Sequence, residues 1–168
     1  MAARTPSQTV GPFFHEALRW KDGGKVALTG GGEPVVLVGR ITDGSGAPVG
    51  DAMVETWQAV AQGAAPSTGN PRGFARVETA VDGTFRIETR MPPGQVPFLD
   101  VTLFARGLLK ALRTRVYLAP EEAVRAEPVL AQIASSPRLA TLVARRDGGE
   151  YRWDVRLQGE GETVFFAA

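Results

Sequence analysis

The side chains that most often carry out chemistry are scarce in this sequence of 168 residues, which has one histidine and no cysteine. A Cys–His pair is therefore impossible, and a Ser–His–acid triad would have to use His15. That histidine lies in an aromatic stretch, where we expect a structural role. Transition-metal sites usually take two or more His or Cys ligands, and Tyr117 and Tyr151 both fall in predicted strands. By residue type alone, the chain has no self-sufficient active site.

Arginine dominates the basic residues, with 16 Arg and 3 Lys against 18 acidic residues and a net charge of +1. This balance gives no electrostatic footprint for nucleic acid, and no apolar run approaches the length of a transmembrane span. The planar guanidinium suits bidentate contacts to carboxylates, although genomic base composition would produce the same bias. The lack of cysteine and of an apolar signal-peptide core at the N-terminus predicts a cytoplasmic protein.

The 20 Gly and 12 Pro residues indicate many turns, as all-β proteins have. Strands must therefore position the functional residues. The apolar run at residues 35–38 predicts a strand buried on both faces. The Asp-Gly-Ser-Gly turn at 43–46 and a strand at 53–57 predict a hairpin with it. The length suits one domain over residues 1–168.

Later segments show the same signals of strands joined by turns. Strands at 73–79 and 83–89 are predicted to form a hairpin at Asp82-Gly83, and a final hairpin should join 141–145 to 151–158. Further predicted elements are strands at 99–105 and 114–118, a helix from Pro120 to Arg125 and a short helix at 128–134. Together these elements predict an all-β protein, an antiparallel β-sandwich with short helices.

The N-terminal residues are too rich in proline and glycine for a helix. We expect residues 1–34 to form an extended arm followed by a flexible connection, the latter over 21–34. Phe13 and Phe14 need burial, so the arm should pack on the domain or on a partner.

Four segments in order, at residues 7–13, 54–59, 104–107 and 158–166, resemble the intradiol ring-cleaving dioxygenases. They read Ser-Gln-Thr-Val-Gly-Pro-Phe, Val-Glu-Thr-Trp-Gln-Ala, Phe-Ala-Arg-Gly and Gln-Gly-Glu-Gly-Glu-Thr-Val-Phe-Phe. The resemblance extends from Thr5 to Phe166. It implies a β-sandwich enzyme subunit and O₂-dependent cleavage of a carboxylated catechol to a carboxymuconate.

The same resemblance implies a division of labour between two chains. The family binds a non-haem ferric ion through two Tyr and two His, the latter in a His-x-His on a strand of the beta subunit. Phe98 and Asp100 stand at the matching positions here. The resemblance therefore implies an iron-free alpha-type chain with no catalytic residue of its own, in a hetero-oligomer with an iron-bearing beta subunit.

By the resemblance, Thr9, Gly11, Pro12 and Arg106 wall the pocket for a small aromatic acid on that partner, and Phe13 replaces a Tyr often found there. The structural alternative for the arm is a simple crossing to the partner.

We interpret Glu55 and Trp57 as core residues, and a buried Glu55 would need an Arg partner. The structural alternative for Arg106 is a bridge to Glu55. An alternative function, from another class, is a transthyretin-like β-sandwich binding module without chemistry.

Overall fold

Two main β-sheets enclose the core of the chain. The computed structural model describes residues 17–26, 28–66 and 73–166. In that part of the chain the strands are β1 (Leu28–Thr29), β2 (Pro34–Thr42), β3 (Met53–Trp57), β4 (Ala65–Pro66), β5 (Phe74–Glu78), β6 (Thr84–Arg90), β7 (Phe98–Phe104), β8 (Leu112–Tyr117), β9 (Arg145–Asp147), β10 (Glu150–Arg152) and β11 (Val155–Arg156). β1 and β4 form a separate two-stranded ribbon.

The first sheet is built around β2. All of β6 pairs antiparallel with residues 34–40 of β2, and β10 and β11 pair in parallel with the other side of β2. Val35, Leu37, Gly39 and Ile41 of β2 are buried, and they alternate with more exposed residues. The predicted burial on both faces was therefore wrong, because this is a strand with one core face.

The second sheet has the antiparallel order β5-β3-β7-β8. Consequently β2 and β3 lie in different sheets, and so do β5 and β6. Both predicted hairpins were wrong, although the turns exist: the Asp43 carboxylate accepts hydrogen bonds from the Ser45 and Ala47 amides, both at 2.9 Å. The ten residues between β2 and β3 are long enough to cross the roughly 10 Å between packed sheets.

The core lies between these two sheets, and both contribute apolar side chains to it. Its largest fully buried members are Leu37, Ile41, Ile87, Val54, Leu99, Val101, Leu103 and Val116. Each such side chain contributes roughly 1.5–3 kcal/mol on burial. The all-β sandwich is confirmed.

A smaller apolar cluster lies around Tyr117, under a helical segment. Helix α1 (Glu121–Arg125) is confirmed. The predicted helix at 128–134 is shorter, a 3₁₀ turn over Pro128–Leu130, and a second 3₁₀ segment covers Pro137–Leu142. None of the helices among the described residues has the length and apolar character needed to cross a membrane.

The last strands alternate as the sequence predicts, with Tyr151, Trp153 and Val155 buried. The hairpin pairs β9 with β10, at 145–147 and 150–152, so its first strand starts later than predicted. The C-terminal aromatics pack back on the protein, Phe165 on the main core and Phe166 on the smaller cluster.

Residues 23–26 join the edges of the two sheets, which corrects the expected flexible connection for this part. The Arg76 amide of β5 donates to the Gly23 carbonyl at 2.8 Å. The Glu88 amide of β6 donates to the Gly24 carbonyl, and the Val26 amide donates to the Glu88 carbonyl, both at 2.8 Å. This segment therefore closes one side of the sandwich.

Candidate functional site

Four of the five predicted pocket residues, Thr9, Gly11, Pro12 and Phe13, lie outside the described residues, and so does His15. Arg106 is described. It stands in the turn that follows β7, where the Leu108 amide donates to the Ala105 carbonyl at 3.2 Å. Arg106 and its surroundings are therefore the described part of the candidate site.

Arg106 pairs with Asp51, which sequence reasoning missed, and not with Glu55. Its Nε donates to the Asp51 carboxylate. The Arg106 side chain is 67% exposed and the Asp51 side chain 26% exposed. Asp51 thus holds one edge of the guanidinium while most of that group faces solvent, where its other N–H groups are available to a ligand.

Phe98 and Asp100, which by the resemblance stand where the family has its two histidines, do not offer an iron site. Phe98 has no ligand atom, and Asp100 accepts a hydrogen bond from Arg115 Nε at 2.8 Å. The Arg115 guanidinium also lies 4.2 Å from the centroid of the Phe98 ring, in cation–π range. A cation therefore already occupies the place beside this carboxylate, and these residues do not fit ferric iron.

Tyr117 belongs to the smaller apolar cluster. Its hydroxyl is buried, with the Arg115 guanidinium beside it. Burial raises the pKa of the Tyr117 phenol, and the neighbouring Arg115 guanidinium offsets this only in part, so the phenol is neutral at pH 7. In the described ranges, no group of three or more His, Cys, Asp or Glu side chains lies close enough together to hold a metal ion.

Glu55 has the arginine partner that its position demands, and that partner is Arg76 on the neighbouring strand β5. Arg76 Nη2 lies 2.5 Å and Nε 2.7 Å from Glu55 Oε1. The guanidinium also lies near Trp20 and Phe74, 5.1 and 5.4 Å from their ring centroids. The interpretation of Glu55 and Trp57 as core residues was wrong, because both lie on the outer face of the sheet. Glu55 is partly buried beside Arg76, and Trp57 is 48% exposed and lies against Phe74.

We expect Glu55→Ala to lower the free energy of unfolding by about 2 kcal/mol, because it leaves a largely buried Arg76 without its carboxylate. Urea unfolding measures this change. The matched control is Glu121→Ala, which removes the exposed Glu121–Arg125 pair on α1 and should cost less than about 0.5 kcal/mol. Equal effects of the two variants would contradict a structural role for the Glu55–Arg76 pair.

Two cavities of the described structure could hold a small ligand. One, of about 630 Å³, lies beside the segment that closes the sandwich and is lined by Trp20, Met53 and Phe85 among others. The other, of about 500 Å³, lies on the outer face of the second sheet, next to Trp57 and Arg113. Arg106 lines neither cavity, so a ligand that contacts it is not enclosed by either one.

No family model matches the chain, but individual proteins are similar to it. It is 38% identical to the protocatechuate 3,4-dioxygenase alpha chain of Burkholderia cepacia, over 97% of this chain and 96% of that protein. It is 37% identical to the alpha chain of Pseudomonas putida, over 96% and 95%. It is also 26% identical to the Burkholderia cepacia beta chain, over 94% and 77%.

Solved structures show the same fold. The dioxygenase domain of a dioxygenase–carbohydrate-binding fusion protein from Streptomyces sp. SirexAA-E has a TM-score of 0.59 at 23% identity, covering 94% of this chain and 99% of that one. An intradiol ring-cleavage dioxygenase from Tetranychus urticae also has a TM-score of 0.59, at 14% identity over 92% and 94%.

Proposed function

Because this chain belongs to the family of protocatechuate 3,4-dioxygenase alpha chains, which are intradiol dioxygenases, we propose that it completes the substrate pocket of a heteromeric enzyme that cleaves protocatechuate. The observation that carries the proposal is the identity of 37–38% to two alpha chains, over nearly the full length of this chain and of each alpha chain. The reaction breaks the bond between the two hydroxylated carbons, adds one oxygen atom of O₂ to each of them and yields β-carboxymuconate.

The partner in this proposal is a beta-type chain, and it carries the iron. Two findings support this arrangement: Phe98 and the ion-paired Asp100 do not suit iron, and a beta chain is itself similar to this chain over 94% of its length. Ferric iron bound to the partner would supply the Lewis-acid and redox chemistry of ring cleavage. This chain's own part is to bind and orient the substrate from the opposite side.

Arg106 is the residue we assign to the carboxylate of protocatechuate. Its guanidinium is mostly exposed and lines neither cavity, as expected for a group that contacts a ligand bound on another chain. Each charge-assisted hydrogen bond to a carboxylate contributes about 1.5–3 kcal/mol. The planar fork of Arg also fixes the orientation of the ring relative to the partner.

The N-terminal residues Thr9, Gly11, Pro12 and Phe13 complete the proposed wall. They belong to the segment that matches the family, and a phenylalanine at position 13 contributes an apolar ring without a hydroxyl. A cytoplasmic location is part of the proposal, since a chain without cysteine gains no stability from an oxidising compartment.

Co-purification with a beta-type chain tests the proposal. We expect a tagged copy of this chain to retain an untagged beta-type chain, and the complex to consume O₂ on addition of protocatechuate. The transthyretin-like binding module predicts neither result. A purified chain that retains no beta-type chain, or a complex that leaves protocatechuate unchanged, would overturn the proposal.

A further inference from the structure

We propose that Asp51 is a positioning residue for Arg106. Its carboxylate holds the guanidinium through Nε, so that the terminal nitrogens point toward the substrate carboxylate in the partner's pocket. The inference rests on the proposed function. It adds to it Asp51, which lies outside the four segments that resemble the family.

The pairing of β3 with β7 explains why these two residues meet. The two strands run antiparallel, with Trp57 opposite Asp100 and Met53 opposite Phe104. Continuing this register two residues past the last pair places Asp51 opposite Arg106. Both residues lie just beyond the ends of their strands, and their ion pair extends the contact that the sheet begins.

The backbone on both sides of Asp51 is fixed by the buried Thr79. The Ala52 amide donates to the Thr79 hydroxyl at 3.0 Å, and that hydroxyl donates to the Val49 carbonyl at 2.8 Å. The Thr79 amide also donates to the Ala52 carbonyl at 2.9 Å. The Asp51 carboxylate is therefore mounted on an ordered part of the fold before any ligand arrives.

Such a mounting matters because an exposed arginine has many rotamers, and ligand binding alone would have to select one of them. A carboxylate on Nε selects orientations of the guanidinium in advance and leaves the edge formed by the two Nη groups for a second, bidentate carboxylate. The negative charge of Asp51 also cancels most of the long-range attraction of Arg106 for anions. Recognition of the substrate then depends on geometry more than on net charge.

The test compares Asp51→Ala and Asp51→Asn in the complex with the beta-type chain. We expect Asp51→Ala to lower kcat/KM for protocatechuate about 3- to 10-fold, mainly through KM, and to change kcat/KM for catechol less than about twofold, because catechol has no carboxylate. Asp51→Asn should retain most of the activity, since its amide oxygen still accepts from Nε. Glu121→Ala, which removes another surface ion pair, is the control and should leave kcat/KM for both substrates unchanged.

A double-mutant cycle separates positioning from a general structural role. In the Arg106→Ala background, Asp51→Ala should have no further effect on the ratio of kcat/KM for the two substrates. Equal losses on both substrates with a lowered melting temperature, or a gain on protocatechuate, would overturn the inference. If Arg106→Ala changes the ratio and Asp51→Ala does not, only this inference fails; if Arg106→Ala leaves the ratio unchanged, the proposed role of Arg106 fails first.

Discussion

Alanine in place of Arg106 is expected to lower kcat/KM for protocatechuate by about 10- to 100-fold, the loss of one or two charge-assisted hydrogen bonds. Catechol should lose less than about threefold, because it has no carboxylate for Arg106 to bind. Steady-state kinetics of the complex with both substrates measure the two ratios. Arg106→Lys should recover only part of the loss, since an ammonium cannot reproduce the planar fork.

The structure also predicts what Arg106→Ala does to stability. The Arg106 side chain is largely exposed although Asp51 is partly buried, and an ion pair with an exposed partner contributes at most about 1 kcal/mol. The melting temperature should therefore change by only a few degrees, which a melting curve of the same preparation checks. Similar losses on both substrates, together with a clearly lowered melting temperature, would place Arg106 in a structural role and out of the pocket.

Gly39→Ala should produce the largest loss of stability, about 3 kcal/mol. A Cβ at this position would lie 1.9 Å from the Trp153 carbonyl oxygen and 2.7 Å from the Phe85 ring. These neighbours are backbone and packed ring, so strands of the first sheet would have to move apart. Urea unfolding followed by tryptophan fluorescence measures the change.

Gly148→Asn is the matched control. Gly148 lies in the turn between β9 and β10 with φ +55, and a Cβ there would meet nothing within 4 Å. Asn tolerates this left-handed conformation better than most residues, so the variant should stay within about 1 kcal/mol of the parent protein. If Gly39→Ala were as stable as Gly148→Asn, the close contact between β2 and residue 153 would be refuted.

The positions of the strands could be predicted from the sequence, but most of their partners could not. Alternation and turn residues locate β2, β3 and β6 to within a few residues, because these signals depend on neighbours along the chain. Whether a turn leads back along the same sheet or across to the other depends on packing between distant residues. The Asp43 and Asp82 turns are therefore real, yet both connect different sheets.

In the candidate site, too, single residues could be selected from the sequence but their partners could not. Arg106 could be selected from its sequence context, and the need of Glu55 for an arginine followed from its place on a core strand. The identity of that arginine, Arg76, and the partnership of Arg106 with Asp51 depend on which strands lie side by side. The exposure of Trp57 likewise depends on what covers the outer face of the second sheet, which the periodicity of β3 cannot tell.

The iron content of the separate chains and of their complex distinguishes an iron-free alpha-type chain from a chain that binds iron itself. This chain purified alone should contain no stoichiometric iron and show no visible tyrosinate-to-iron absorption. The complex with a beta-type chain should contain one ferric ion per pair and cleave protocatechuate. A coloured, iron-loaded preparation of this chain alone would show that it binds iron itself and would overturn its role as the iron-free subunit.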